Sequence, residues 1–325
     1  AMTAEVRGRG RQQRKPSVGR YSTWLVGADL FAVALAFLGQ IILARMLLPE
    51  QYGWMVIAID VYASFFLVVD LGLPTLLARD GAQAPDLVPR AVHRMYRYQA
   101  LAMIPFALAA LALRPDTWLV PEMPLALMLA ALLTAVAHVG SYAPRSGLRV
   151  MGEARWEALT KVVERSITVL AYGALAFLGV TEASAYLWAF CAGALVGWLA
   201  PYVLVRLVAP PRSSGAVNWS RLGPNWNTHA SLLMASLPFA VTLGVLPYVV
   251  RIEKFLVTLQ GGSELAAVFH VAQLAWLAGL VVPAALRAAL LPVLGEARGS
   301  PLRVRQALDT SLDLCMGLLP MGLIG

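Results

Sequence analysis

The sequence predicts an all-α, polytopic membrane protein with about nine transmembrane helices. Three observations carry that prediction. Hydrophobic residues make up 59% of the 325 and charged residues only 14%, against about 45–50% and about 25% in an average soluble domain. A soluble core of this size cannot cover so much apolar surface, and the mean hydropathy of +0.68 agrees. Finally, apolar runs of roughly 20–25 residues recur along the chain, the length of helix that crosses about 30 Å of hydrocarbon. Barrel strands would be about 10 residues long and would alternate.

Residues 1–20 are polar and rich in arginine and read as a disordered cytoplasmic tail. The first apolar run covers 24–48. A signal-peptide core is about 7–15 residues, so this longer run reads as a retained helix. Further spans are expected at 52–77, 92–113, 124–143, 159–180, 183–208, 228–259, 265–291 and 307–325. Residues 209–227 hold Pro, Gly and Ser and form the longest break. They read as a cytoplasmic linker between a six-helix lobe (21–208) and an incomplete second lobe of about three helices (228–325). The last span ends at Gly325 without a polar anchor and the chain opens Ala1-Met2, so the sequence is expected to be the front part of a longer protein.

The net charge is +8, from 26 Lys and Arg against 18 Asp and Glu. With the N-terminus placed inside, 22 of the 26 basic residues fall in cytoplasmic segments. This is the bias that orients membrane helices, and it replaces nucleic-acid binding as the reason for the basic excess. Four cations remain on the outer side: Arg45, Arg114, Arg251 and Lys254. Cys191 and Cys315 lie far apart in apolar stretches and read as buried free thiols. The Asn218-Trp219-Ser220 sequon falls on the predicted cytoplasmic side and is expected to stay unglycosylated.

No P-loop, HExxH, nucleophile elbow or zinc spacing is present. His93, His138, His229 and His270 are scattered singly. No cofactor or catalytic activity is expected. Attention therefore falls on polar groups inside spans, which are costly in lipid. Asp29 shares a helix face with Gln40, although it could equally cap the first helix. Asp60 and Ser64 share a face at i, i+4. Asp70 is a gating or ion-coupling candidate, or a helix-end residue beside Gly72 and Pro74. The sharpest cluster is Arg251-Ile252-Glu253-Lys254. Arg251 and Lys254 are three residues apart, so they share a face and could hold a phosphate or pyrophosphate. The plainer reading is an ion pair of Glu253 with Arg251 or Lys254, plus snorkelling. Prolines 105, 201, 238, 247, 283 and 292 fall in or near span ends. Kinked helices near a midplane site are a transporter device, and proline is also tolerated in ordinary membrane helices. A faint repeat aligns Leu48–Gly53 with Gly262–Ala267 at a constant offset of 214.

At these residues a family resemblance enters. The stretch Ala44-Arg45-Met-Leu-Leu-Pro49-Glu50-Gln-Tyr52-Gly53, followed by Asp70-Leu-Gly72-Leu, resembles the opening of the polysaccharide exporters. These are the oligosaccharide-lipid flippases of the multidrug/oligosaccharidyl-lipid/polysaccharide (MOP) exporter superfamily. Arg251-Ile-Glu253-Lys254, with Gly261-Gly-Ser-Glu after it, is a second match, although the family usually has Asp where Glu253 stands. Leu291-Pro292-Val-Leu is a third.

The resemblance implies two six-helix lobes around a central cavity, here with the second lobe truncated. It implies flipping of a polyprenyl-pyrophosphate-linked oligosaccharide across the bacterial inner membrane by alternating access. Its partners would be membrane lipids and polysaccharide polymerase or glycosyltransferases. Arg45, Arg251 and Lys254 become candidates for cargo contact, and Asp29, Asp70 and Glu253 for gating or ion coupling. Two alternatives stay open. One is a multidrug cation/proton antiporter of the same superfamily, with Asp29 as proton site. The other is a membrane-embedded lipid-linked sugar transferase, against which the short outer loops argue.

Overall fold

The computed structural model describes residues 18–112, 114–209 and 217–279, with residue 294 and a few residues between 300 and 313. The basic tail through residue 17, most of the ninth expected span and Cys315 lie outside the described residues. Among those described, all regular structure is helical.

The first helix, α1 (Val18–Met46), begins three residues inside the expected tail. It ends where Leu48 turns to extended backbone ahead of Pro49, and Pro49 opens α2 (Pro49–Leu67). Proline disfavours helix in the residue before it and suits the first helical turn, so one residue both stops α1 and starts α2.

The second expected span, 52–77, is broken in the structure. After α2 a 3-10 turn (Val68–Asp70) leads to Leu71 and Gly72, both with positive φ. A separate short helix, α3 (Leu73–Asp80), then begins with Pro74 in its first turn. The run 52–77 is apolar throughout, so hydropathy could not register the break. It lies in the backbone chemistry of Gly72 and Pro74. A Cβ on Gly72 would stand 2.4 Å from the Ser236 carbonyl oxygen, so the turn also needs glycine for space.

The helices α4 (Val88–Ala112) and α5 (Pro115–Trp118, a single turn) come next. They are followed by α6 (Leu125–Val150), α7 (Ala154–Phe177) and α8 (Ala183–Val208). Two boundaries differ from the hydropathy reading. Helix α6 runs seven residues past 143, through Pro144, and α7 starts five residues before 159. The charges that made 144–158 look like a loop are paired across these helices, so the helices need not stop where the apolar run stops.

Residues 229–279 form a helical run broken at Gly262, with φ 74° and ψ −172°. The break divides it into α9 (229–261) and α10 (263–279). Gln273 Nε2 donates to the Val250 carbonyl at 3.1 Å, and Lys254 Nζ is 3.2 Å from His270 Nδ1. Both contacts pair residues symmetric about 262, so α9 and α10 fold back antiparallel, with the turn at the Gly261-Gly262-Ser263 break read from sequence.

Among the described residues, six segments are long and apolar enough to cross a membrane: Gly27–Met46, Pro49–Asp70, Pro85–Trp118, Leu125–Val150, Ala183–Val208 and Pro247–Leu274. The last of these contains the Gly262 break. Helix α7 has the length but carries Glu157, Lys161, Glu164 and Arg165. Exposed apolar side chains stud the outside, among them Leu101 at 70%, Leu170 at 73% and Phe177 at 92%. Lipid is the solvent that accommodates such a surface. The chain is a multi-pass membrane protein.

Helix α1 packs on α7, α6 on α8, and α2 on both α6 and the α9–α10 hairpin. Small residues allow close approach, as expected without a hydrophobic drive between helices in lipid. A Cβ on Gly197 of α8 would lie 2.3 Å from Glu164 Oε2 of α7. Residues 217–227, the described part of the expected linker, form two 3-10 turns docked on one end of the bundle. The Arg94 guanidinium lies 4.8 Å above the Trp219 ring and donates to the Trp226 carbonyl at 2.6 Å. Trp226 is fully buried, and its Nε1 donates to Asp80 Oδ2 at 3.1 Å. Arg221 forks onto Asp86 at 2.7 and 2.8 Å. This docked end also holds Arg79 to Arg97 and Arg206 and is called the basic end below.

Candidate functional site between the first bundle and the α9–α10 hairpin

The site is built where α2 meets the hairpin. Asp60 lies 11 residues into α2, and Arg251 lies 11 residues before the Gly262 turn on α9. Each is therefore about 16 Å along its helix from the end opposite the basic end. Lys254 Nζ donates to Asp60 Oδ2, and Arg251 Nε lies 3.5 Å from Asp60 Oδ1. Lys254 is 4% exposed. Its ammonium has donors only, so its contact with His270 requires Nδ1 as acceptor and a neutral imidazole protonated on Nε2. One carboxylate thus faces two cations and a neutral ring, a formal excess of one positive charge inside the membrane-spanning region.

Arg251 is the less satisfied cation. Its guanidinium Nη1 is buried and has no hydrogen-bond partner. Beside it, Tyr248 Oη donates to the Ser64 carbonyl at 2.7 Å, a second tie between α9 and α2. Tyr142 stands mid-way along α6 yet is 41% exposed. It lies within electrostatic reach of Asp70, Arg251, Arg145 and Glu164.

Each residue nominated from sequence has a definite place. Arg251 and Lys254 are together, as their spacing required, but their partner is Asp60. Glu253 points the other way: it is exposed, and no described residue forms an ion pair with it. Arg45 is exposed in the last turn of α1, near the far end of the bundle, well above the cluster. Asp70 accepts from the Gly72 N–H, the helix-end role weighed above, while its Oδ1 is buried without a partner. Asp29 is elsewhere, 2.8 Å from Lys161 Nζ on α7. Gln40, 11 residues from Asp29 on the unbroken α1, accepts from Tyr52 Oη.

In the sequence Asp60 stands out only by the face it shares with Ser64, and His270 is a lone histidine. One usable signal exists: Asp60 and Arg251 are counted to the same depth from their own turns, so opposite charges on facing helices would meet.

The motif residues gather at the same contact. The Tyr52 ring packs edge-on against His270 with centroids 6.0 Å apart. A Cβ on Gly53 would lie 2.0 Å from the Ser263 carbonyl oxygen. Gly72 abuts Ser236 and Ala240 of α9. The Pro-Glu-x-Tyr-Gly and Asp-x-Gly stretches are thus the faces on which the first bundle receives the second arm.

A second charged network lies wholly within the first bundle. Arg145 bonds Glu164 and the Gly197 carbonyl, and His138 Nε2 is 3.5 Å from Glu164. Arg149 bonds Glu157, and Lys161 bridges Glu157 to Asp29. Among the described residues no cluster of three His, Cys, Asp or Glu side chains could hold a metal ion.

With this geometry in hand, comparison with known proteins places the chain. The sequence profile of a family described as "Polysaccharide biosynthesis protein" matches residues 18–297. No curated protein sequence matches significantly. Among solved structures, a MATE in complex with MaD3S superposes with a TM-score of 0.64 at 16% identity, covering 91% of this chain and 69% of that one. A MOP superfamily transporter from Pyrococcus furiosus, described as having a binding pocket of reversed polarity, gives 0.59 at 14% identity, covering 94% and 71%. A multidrug resistance MATE family transporter in an outward-facing conformation gives 0.60 at 15%, again covering 94% and 71%. At such identities these likenesses speak for the fold.

Proposed function

Since the chain belongs to the polysaccharide biosynthesis protein family of the MOP exporter superfamily, a family of membrane transporters, we propose that it flips a polyprenyl-pyrophosphate-linked oligosaccharide across the bacterial inner membrane. The observation that carries this reading is the half-paired guanidinium of Arg251, beside Lys254, in a cluster with one positive charge in excess.

A half-paired cation inside the membrane-spanning region is costly, and a dianionic pyrophosphate would complete its pairing. Asp60 holds the place of the cargo when the site is empty. The arriving head group takes over Arg251 and Lys254 and releases Asp60, which loosens α2 from the hairpin. Binding is thereby coupled to separation of the two arms at that contact. A ligand shifts a conformational balance only through differential affinity, and here the difference is the loss of the Asp60 partner in one state and its replacement in the other.

Arg45, exposed at the far end, makes at most a peripheral contact with the departing head group. Asp70, with an unbonded buried oxygen, is a candidate for ion coupling. Asp29, held by Lys161, ties α1 to α7 within the first bundle, which leaves Glu253, on the exposed face of α9, as the gating candidate. The basic end would face the cytoplasm, with the N-terminus inside. Polymerase or glycosyltransferase partners follow only from this cargo assignment.

The multidrug reading requires an anionic cavity for cationic cargo, and the excess positive charge at Asp60–Arg251–Lys254 argues against it. The test is complementation of a strain that needs the transporter for its surface polysaccharide. Arg251→Ala should insert normally and lose most export. Full export by that variant would remove Arg251 from the cargo site.

A further inference from the structure

Apart from the interlobe site, a crevice of about 260 Å³ lies between α2, α4 and α9, lined by Phe65, Phe106, Tyr248 and Phe255. It is almost wholly apolar, and nothing in it selects an occupant. A second crevice is different. It lies inside the first bundle, between α4, α6 and α8, with a volume of about 390 Å³, within the usual range for small-molecule sites of about 300–1,000 Å³. Its walls are His93, Tyr96, Gln99 and Met103 of α4, and Trp198 and Tyr202 of α8.

Two of its polar groups are fixed. Tyr96 Oη donates to the Gly140 carbonyl at 2.7 Å and accepts from Trp198 Nε1 at 3.0 Å. Gln99 is different: it is 2% exposed, and neither its amide oxygen nor its nitrogen has a partner. A buried carboxamide without partners is costly, so its amide is aimed at something that fills the crevice.

Position and charge narrow the occupant. Gln99 is 11 residues into α4 from the basic end, about 16 Å along the axis. Arg206 is near the basic end of α8, one turn beyond Tyr202, with its guanidinium 4.4 Å from that ring's centroid. Ala100 and Leu199 on its wall are exposed, so its mouth opens to lipid. An occupant must therefore carry an anion at the basic end, a hydrogen-bonding group one to two turns deeper, and apolar chains against Met103, Val136 and Leu199.

The geometry points to a binding site for an anionic glycerophospholipid of the leaflet at the basic end, with its phosphate at Arg206 and its ester or hydroxyl group on the Gln99 amide. It is separate from the cargo site and rests on none of the transport reading. The lipid braces α4 against α8, two helices that meet mainly through α6.

The test uses the whole purified chain in detergent, with phosphatidylglycerol added and retention read by native mass spectrometry. Gln99→Leu keeps the side-chain volume and removes both hydrogen bonds, and it should retain the lipid about tenfold less well. Ala100→Phe fills the exposed mouth without touching Gln99 and should abolish retention while thermal unfolding stays unchanged. Arg206→Gln should weaken phosphatidylglycerol more than the zwitterionic phosphatidylethanolamine. Retention equal to that of the unaltered protein in both Gln99→Leu and Ala100→Phe would overturn the site and leave Gln99 to water alone. Equal weakening of both lipids by Arg206→Gln would overturn the phosphate assignment.

Discussion

Two buried charge clusters built from the same residue types differ in what they join. Asp29, Lys161, Glu157 and Arg149 tie α1, α6 and α7 within the first bundle, as Arg145 and Glu164 tie α6, α7 and α8. Asp60, Lys254 and Arg251 tie the first bundle to the α9–α10 hairpin. Within the bundle the anions are amply matched: fully buried Glu157 has Arg149 on one side and Lys161 on the other. Across the contact, one anion serves two cations and a guanidinium nitrogen goes unbonded. The lesson concerns balance. Within the bundle Arg145, Arg149 and Lys161 meet Asp29, Glu157 and Glu164 charge for charge, even though Arg145 Nε is also unbonded, and such a neutral network holds helices as one body; across the contact the surplus cation is a charge that an anionic ligand can neutralise.

The largest expected effect probes the satisfied side. Glu157→Ala removes the fully buried carboxylate shared by Arg149 and Lys161 and should lower unfolding stability by about 3–5 kcal/mol, seen as a drop in Tm of the purified protein. A Tm within a degree of the parent would show that this network does not hold the bundle. Next comes Lys254→Met, which keeps the stem and removes the charge. Export should fall about tenfold or more, with a smaller loss of Tm than for Glu157→Ala. The reverse order of the two Tm losses would erase the distinction between the clusters.

Gly53→Val acts on the same contact without altering charge. Its side chain has no room against the Ser263 carbonyl, so it should push α2 and α10 apart and raise labelling of a cysteine introduced at Ser263. Unchanged labelling would mean the close approach is not what closes that end. The smallest effects are expected from Arg45→Ala and Glu253→Gln, both exposed. Export within about twofold of the parent is expected for each, since exposed charges contribute little. A loss matching that of Lys254→Met would move the cargo path to the outer face of α9.

The helical class, five of the six spans expected before residue 209 and the turn at Gly262 are legible in the sequence, because apolar runs and glycine pairs are local signals. The end of α2 at Asp70–Gly72 was misplaced, since the run 52–77 stays apolar through the turn. The α6–α7 junction was misplaced for the opposite reason, since Arg145, Arg149 and Glu157 look like loop charges until their partners are known. The site was half legible. The i, i+3 spacing put Arg251 and Lys254 on one face, but nothing local to residue 254 shows that it will meet Asp60, 194 residues earlier. Asp29, Gln40 and His270 likewise took partners set by helix packing.

The central claim is that Asp60 stands in for the cargo's anionic head on Arg251 and Lys254. It is tested most directly by titrating the purified protein with a polyprenyl pyrophosphate in detergent and comparing the parent with Asp60→Asn. If the carboxylate competes with the cargo, the neutral variant binds severalfold more tightly, and its advantage disappears when Lys254→Met is added. If the pair is only a structural tie between the helices, Asp60→Asn binds no better than the parent, and that result would contradict the account.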